Sequence, residues 1–135
     1  GWDIPRYRLF LTDVISTFKN EGIRTSIFVD TIISNIENAA STGTDRIELY
    51  TEPYAAIFDS DAPGAIEPFI TAARIARDAG LGVNAGHDLN LDNLRYLCQN
   101  IPWLEEVSIG HALISDALYL GLENTIRMYK RQLSD

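Results

Sequence analysis

The sequence predicts an α/β domain of parallel βαβ units, read as the C-terminal half of a (β/α)8 (TIM) barrel with four strands. Three observations carry that expectation. Short apolar runs of strand character alternate with segments of helical periodicity, which implies parallel strands joined by right-handed crossovers. The units are similar in length and order, as consecutive pieces of a barrel would be. With 135 residues the chain is one domain, 1–135, and too short for a full barrel of about 250 residues.

The elements follow in order. Tyr7, Leu11, Val14, Ile15 and Phe18 recur at helical spacing until Asn20-Glu21-Gly22 stops the pattern. Arg24 to Asp30 is a β-branched apolar run short enough for a buried strand. Asp30 or Thr31 caps a helix whose inner face carries Ile33, Ile36 and Ala40, and Gly43 ends it. Asp45 to Tyr50 reads as the second strand. Thr51 to Pro63, with two prolines and several carboxylates, reads as a long loop, a feature often functional in a compact domain. A helix from Gly64 to Ala79 and its Gly80 stop lead into a third strand over residues 80–84. A helix from Leu91 to Gln99, with Cys98 inside it, precedes the fourth strand, Glu106 to Ile109. The last helix, His111 to Gln132, is expected to bury Leu113, Ala117, Leu118, Leu122, Ile126 and Tyr129. The chain opens on a helix, as though a repeat were entered partway.

Composition narrows the partners. Hydrophobic residues make up 46% and charged ones 22%, ordinary globular usage that argues against disorder. Nineteen acidic against eleven basic residues leave a net charge of −8, so no basic surface is available to track a nucleic-acid backbone. Small anions remain possible, because backbone N–H groups at helix starts hold them without extra Lys or Arg. A single thiol, Cys98, suits a reducing compartment. No apolar run has membrane-spanning length and Gly1 to Arg8 do not read as a signal peptide, so a cytoplasmic protein is expected.

The chemistry concentrates where parallel α/β folds place their ligands, at the C-terminal ends of the strands. The third strand ends in Asn84-Ala85-Gly86-His87-Asp88 and the fourth in Ile109-Gly110-His111-Ala112. Both histidines therefore follow a strand and stand directly after a glycine. Glycine lets the backbone approach a ligand, and imidazole exchanges a proton near neutral pH. The plainer alternative is a tight turn with a capping or packed histidine; two such pairs on adjacent strand ends favour function. Gly110-His111 also opens the last helix, where free N–H groups and the helix dipole suit a phosphate. Glu48 alternates with Ile47 and Leu49, so it points into a barrel interior or pairs with Arg24 or Arg46. Two histidines without further ligand spacing do not make a zinc site, and no metal or cofactor is expected.

SIFVD, DRIELYTEPYA, GLGVNAGHDLN and SIGHALISDALYLGLENTIRMYK together resemble the C-terminal half of the pyridoxine 5'-phosphate synthase family, and NAGHDLN followed by IGHALI is specific to it. The resemblance implies condensation of 3-amino-2-oxopropyl phosphate with 1-deoxy-D-xylulose 5-phosphate to pyridoxine 5'-phosphate, with release of phosphate and water. It implies that His87 is the proton donor and that Glu48 stabilises charge in the transition state. Asp88 would contact the aminooxopropyl phosphate through its backbone N–H, and Gly110 and His111 correspond to the phosphate-binding pair. Thr51 is kept beside them as a binding residue.

Two departures from the family accompany the match. Tyr50-Thr51-Glu52 stands where many members have His-Thr-Gly. The family's first four strands, including the His and Glu that accept protons, have no counterpart here. The expectation is a partial chain, inactive alone, that pairs with its missing N-terminal half or forms a homo-oligomer. A phosphate-binding half-barrel without catalysis and a flavodoxin-like domain are the alternatives.

Overall fold

The computed structural model describes residues 1–133. Among them the order is α1 (Ile4–Asn20), β1 (Ser26–Val29), α2 (Ile33–Ala39) with a 3-10 turn (Ala40–Thr42), β2 (Arg46–Leu49), α3 (Glu52–Phe58) and α4 (Ala62–Asp78). β3 (Gly82–Ala85), α5 (Leu94–Asn100), β4 (Leu104–Val107), α6 (His111–Leu120) and α7 (Leu122–Gln132) complete it. The strands form one parallel sheet in the order β1-β2-β3-β4. A flavodoxin-like sheet doubles back on itself, whereas a strictly sequential order with crossovers of one hand leaves the helices on one face. The architecture is thus an α/β fold consistent with part of a (β/α)8 barrel.

Strand alternation divides the sheet into two unlike faces. Ile27, Val29, Ile47, Leu49, Val83 and Ala85 are buried in one core with Ile36, Phe69, Ala72, Ala76, Leu94 and Leu97 of the helices. Each fully buried Leu or Ile contributes about 1.5–3 kcal/mol by leaving water. The opposite face carries Phe28, Glu48, Asn84 and Glu106 in one register row, so it is polar where a second core would be apolar. No helix among the described residues is long and apolar enough to cross a membrane.

Several expectations are corrected. The segment Thr51 to Pro63 is mostly helical. Its prolines, Pro53 and Pro63, both lie in the first turn of a helix, where a missing N–H removes no bond. Tyr54 anchors α3 because its side chain is fully buried. The α4 helix begins two residues before Gly64, its N-terminus capped by Asp61, whose Oδ1 accepts the Gly64 N–H at 2.9 Å. The α1 helix likewise begins ahead of the apolar pattern, at Ile4, capped by Asp3. The fourth strand lies two residues earlier than expected, with an irregularity opposite Val83/Asn84.

The long last helix is two helices. Gly121 separates them with φ 79° and ψ 140°, a conformation that glycine tolerates because it has no Cβ. Of the six residues expected on its inner face only Tyr129 is buried, while Leu118 and Leu122 are 81% and 55% exposed. The break at Gly121 resets the helical phase, so one stripe cannot run through both halves. Asp30 does not cap α2 directly; its Oδ1 accepts the Ile32 N–H at 3.1 Å in the turn ahead of the helix.

Candidate active site at two strand ends

The ends of β3 and β4 are drawn together by backbone alone. Ser108 N–H donates to Ala85 O at 3.0 Å, one rung beyond the sheet. A Cβ on Gly86 would stand 2.2 Å from Ser108 O, so the close approach requires glycine. His87 is thereby placed beside the loop that enters α6. The two Gly-His turns open on one cavity of about 520 Å3, lined by His87, Asp88, Asn90, His111 and Ala112 and closed on one side by Glu52 and Ala55 of α3.

The His87 ring is about half exposed. Its centroid lies 5.7 Å from Tyr50 and 6.5 Å from Phe28, which pack edge to face at 5.4 Å. Its Nε2 is 3.8 Å from Asp88 Oδ2. Asp88 has φ 62°, and among the described residues it is the one non-glycine with positive φ. Such strained backbone persists only where its surroundings hold it.

The holding groups are buried side chains. Asn93 Nδ2 donates to Asp88 O at 3.3 Å, and Asn93 Oδ1 accepts the Asn90 N–H at 2.9 Å. Asn90 Oδ1 accepts the N–H groups of Asp92 and Asn93, and Tyr54 donates its hydroxyl to Asn93 O at 2.7 Å. Burial pushes the Tyr54 hydroxyl well above its ordinary value, so it stays a donor. Thr51 is fully buried, and its hydroxyl donates to His87 O.

At the other wall, Gly110 precedes α6 without a side-chain cap. Ile114 N–H makes the first helical bond, to Gly110 O at 3.0 Å, so the N–H groups of the first turn ahead of it are free and carry the positive end of the dipole. A Cβ on Gly110 would meet nothing within 4 Å. The residue thus leaves open space against the backbone, where a ligand can approach.

Glu48 stands on the sheet face that carries Phe28 and Asn84 and does not line the cavity. The alternative of a pairing with Arg24 or Arg46 is not realised. Arg24 reaches Glu106 at 2.8 Å, and Arg46 reaches Glu105 at 2.7 Å and Glu106 at 3.1 Å, so Glu48 has no ion pair among the described residues. Burial first, and the charge of Glu106 second, raise its carboxyl above the ordinary value, against a smaller lowering by His87. No group of three or more His, Cys, Asp or Glu side chains is placed to hold a metal ion among the described residues.

Of the residues singled out by sequence, His87, Asp88, Gly110 and His111 come together, Glu48 lies nearby, and Thr51 turns away from the cavity. Sequence reasoning passed over Asn93, Tyr54 and Phe28, and met Tyr50 only as a departure from the family. The spacing Asn90-x-x-Asn93 just after a strand is a turn signal that could have pointed to the first of them. The assembled groups suit proton transfer by imidazole beside an anion held at a helix start.

The family profile described as "Pyridoxal phosphate biosynthesis protein PdxJ" matches residues 1–135. Curated proteins named pyridoxine 5'-phosphate synthase from Parabacteroides distasonis and Porphyromonas gingivalis are each 60% identical over 134 residues, covering 99% of this chain and 56% of the relative. One from Cytophaga hutchinsonii is 59% identical over 133 residues, 98% of this chain and 56% of that protein. The chain spans a little over half the length of these relatives. It belongs to the pyridoxal phosphate biosynthesis protein PdxJ family.

Proposed function

We propose that this chain supplies the C-terminal half of a pyridoxine 5'-phosphate synthase barrel. In this reading the assembled barrel condenses 3-amino-2-oxopropyl phosphate with 1-deoxy-D-xylulose 5-phosphate, acting in the cytoplasm without a metal or cofactor. The observation that carries the reading is the opening of both Gly-His turns on one cavity. His87 gives the proton, with its ring set by Phe28 and Tyr50. The Asp88 N–H and the α6 start at Gly110 and His111 hold a substrate phosphate. Glu48, on the face that a closed barrel turns inward, stabilises charge in the transition state. Thr51 acts through the His87 carbonyl.

The proton-accepting His and Glu come from the first four strands of the barrel. Those strands join at the outer edges of β1 and β4, each of which has one strand neighbour in the sheet; a sheet edge of this kind also drives homo-oligomer formation. The test is to assay the 135-residue chain for ring closure from both substrates, alone and mixed with the N-terminal segment of the Parabacteroides distasonis relative. Turnover in the mixture, its loss on His87→Ala, and none from either part alone are the expected results. Ring closure by the 135-residue chain alone, or a mixture indifferent to His87, overturns the reading.

A further inference from the structure

The turn that carries His87 is gripped at two consecutive carbonyls by side chains from two different elements. Thr51, immediately before α3, donates to His87 O, and Asn93, immediately before α5, donates to Asp88 O at 3.3 Å. Both donors are almost wholly inaccessible, at 0% and 2% exposure. Neither lines the cavity, whereas both residues they grip do.

The geometry of the peptide unit makes this grip directional. In a trans peptide the C=O and N–H point in opposite directions. Drawing the His87 carbonyl onto the buried Thr51 hydroxyl therefore turns the Asp88 N–H away from the interior. That N–H has no acceptor among the described residues, as expected of a donor kept for a ligand. The Asn93 bond acts one peptide later, and Asn93 also fixes the Asn90 N–H, so the turn is pinned on both sides of Asp88. A residue with a Cβ is thereby kept at φ 62°, where the chain otherwise uses Gly22, Gly43, Gly80 and Gly121.

We infer that Thr51 and Asn93 are positioning residues, a two-point clamp that holds the His87–Asp88 turn with its imidazole and the Asp88 N–H facing the cavity. The inference rests on the proposed phosphate site, but it has a structural half that does not. Tyr54 belongs to the same device at one remove. Its hydroxyl holds Asn93 O at 2.7 Å and ties the two anchor points together, since it lies in α3 three residues after Thr51.

The experiment uses the 135-residue chain with Thr51→Val, Thr51→Ser and Asn93→Asp. Thr51→Val keeps the shape and removes the hydroxyl; Thr51→Ser restores it. Asn93→Asp keeps the acceptor for Asn90 and replaces the donor with an oxygen that repels the Asp88 carbonyl. Backbone couplings and amide shifts of Asp88 are read by NMR, inorganic phosphate is titrated, and thermal melts verify folding. Thr51→Val and Asn93→Asp should move Asp88 out of its positive φ and weaken phosphate binding about tenfold or more, the scale of one lost hydrogen bond to a charged group. Thr51→Ser should behave as the parent.

Unchanged Asp88 couplings in both disruptive variants overturn the clamp. A displaced Asp88 with phosphate affinity intact overturns its purpose. A parent chain that binds no phosphate refutes the functional reading and leaves the clamp to be judged by the couplings alone. The two disruptive substitutions act on different carbonyls, so failure of one to fold leaves the other as the test.

Discussion

Glu48 and Glu106 stand in one row of the sheet with Asn84 between them, and Arg46 neutralises the second but not the first. Glu48 is thus a partly buried carboxyl facing a like charge. Its folded value lies above the ordinary 4.5, so the neutral form is favoured by folding. That contribution is fully present below the unfolded value and is lost as pH rises through the folded one. Glu48→Gln should match the parent in melting temperature at acid pH and exceed it increasingly as pH rises past 4.5. Glu106→Gln should bring the Glu48 titration down, as followed by carboxyl NMR. A stability difference that is flat with pH would refute the assignment.

The two histidines should separate cleanly. In the assembled enzyme, His87→Ala should lower turnover by roughly two to four orders of magnitude, the range for general acid–base groups, with substrate affinity changed far less. His111→Ala should keep much of the anion binding, because the α6 N–H groups survive the substitution. Turnover numbers and melting temperatures of both variants decide the matter. An active but destabilised His87→Ala enzyme would sink the catalytic role.

Gly86→Ala should cost about 1–3 kcal/mol, the usual penalty for forcing atoms into a packed site. The added methyl would stand 2.2 Å from Ser108 O, so β3 and β4 must part at the ends that carry the two histidines. Denaturant unfolding measures the cost. The same variant should lose phosphate affinity, whereas Gly110→Ala, which meets nothing within 4 Å, should fold normally.

Tyr129→Phe should loosen α6, whose Leu113 still packs against the core. That helix has no buried residue of its own and is tied to α7 by the Tyr129 hydroxyl, which donates to Asp116 Oδ2 at 2.8 Å. The loss should be about 1 kcal/mol, typical of one hydrogen bond, with faster amide exchange confined to α6. Uniform exchange across the chain would show that the bond is incidental to the placing of α6.

Periodicity determined the four strands and the alternation of strands with helices in this protein, because the periods of 3.6 and 2 are local properties of the backbone, but it missed α3 and joined α6 to α7. It also determined that both histidines follow strand ends, since Gly-His after an apolar run is visible without any fold. Helix boundaries near Pro53 and Gly121 were not legible: proline is compatible with both a loop and a first turn, and the phase break at Gly121 depends on its φ and ψ. Only the tertiary structure decided the neighbours. The polar row of Glu48, Asn84 and Glu106 arises from register between strands far apart in sequence. The denial of Arg46 to Glu48 arises from competition with Glu105 and Glu106, a contest that sequence spacing cannot rank. The grip of Thr51 and Asn93 on the His87 turn likewise joins residues 36 and 5 positions distant from the carbonyls they hold. Buried polar groups must find partners wherever packing brings them, and that place is set by the whole fold.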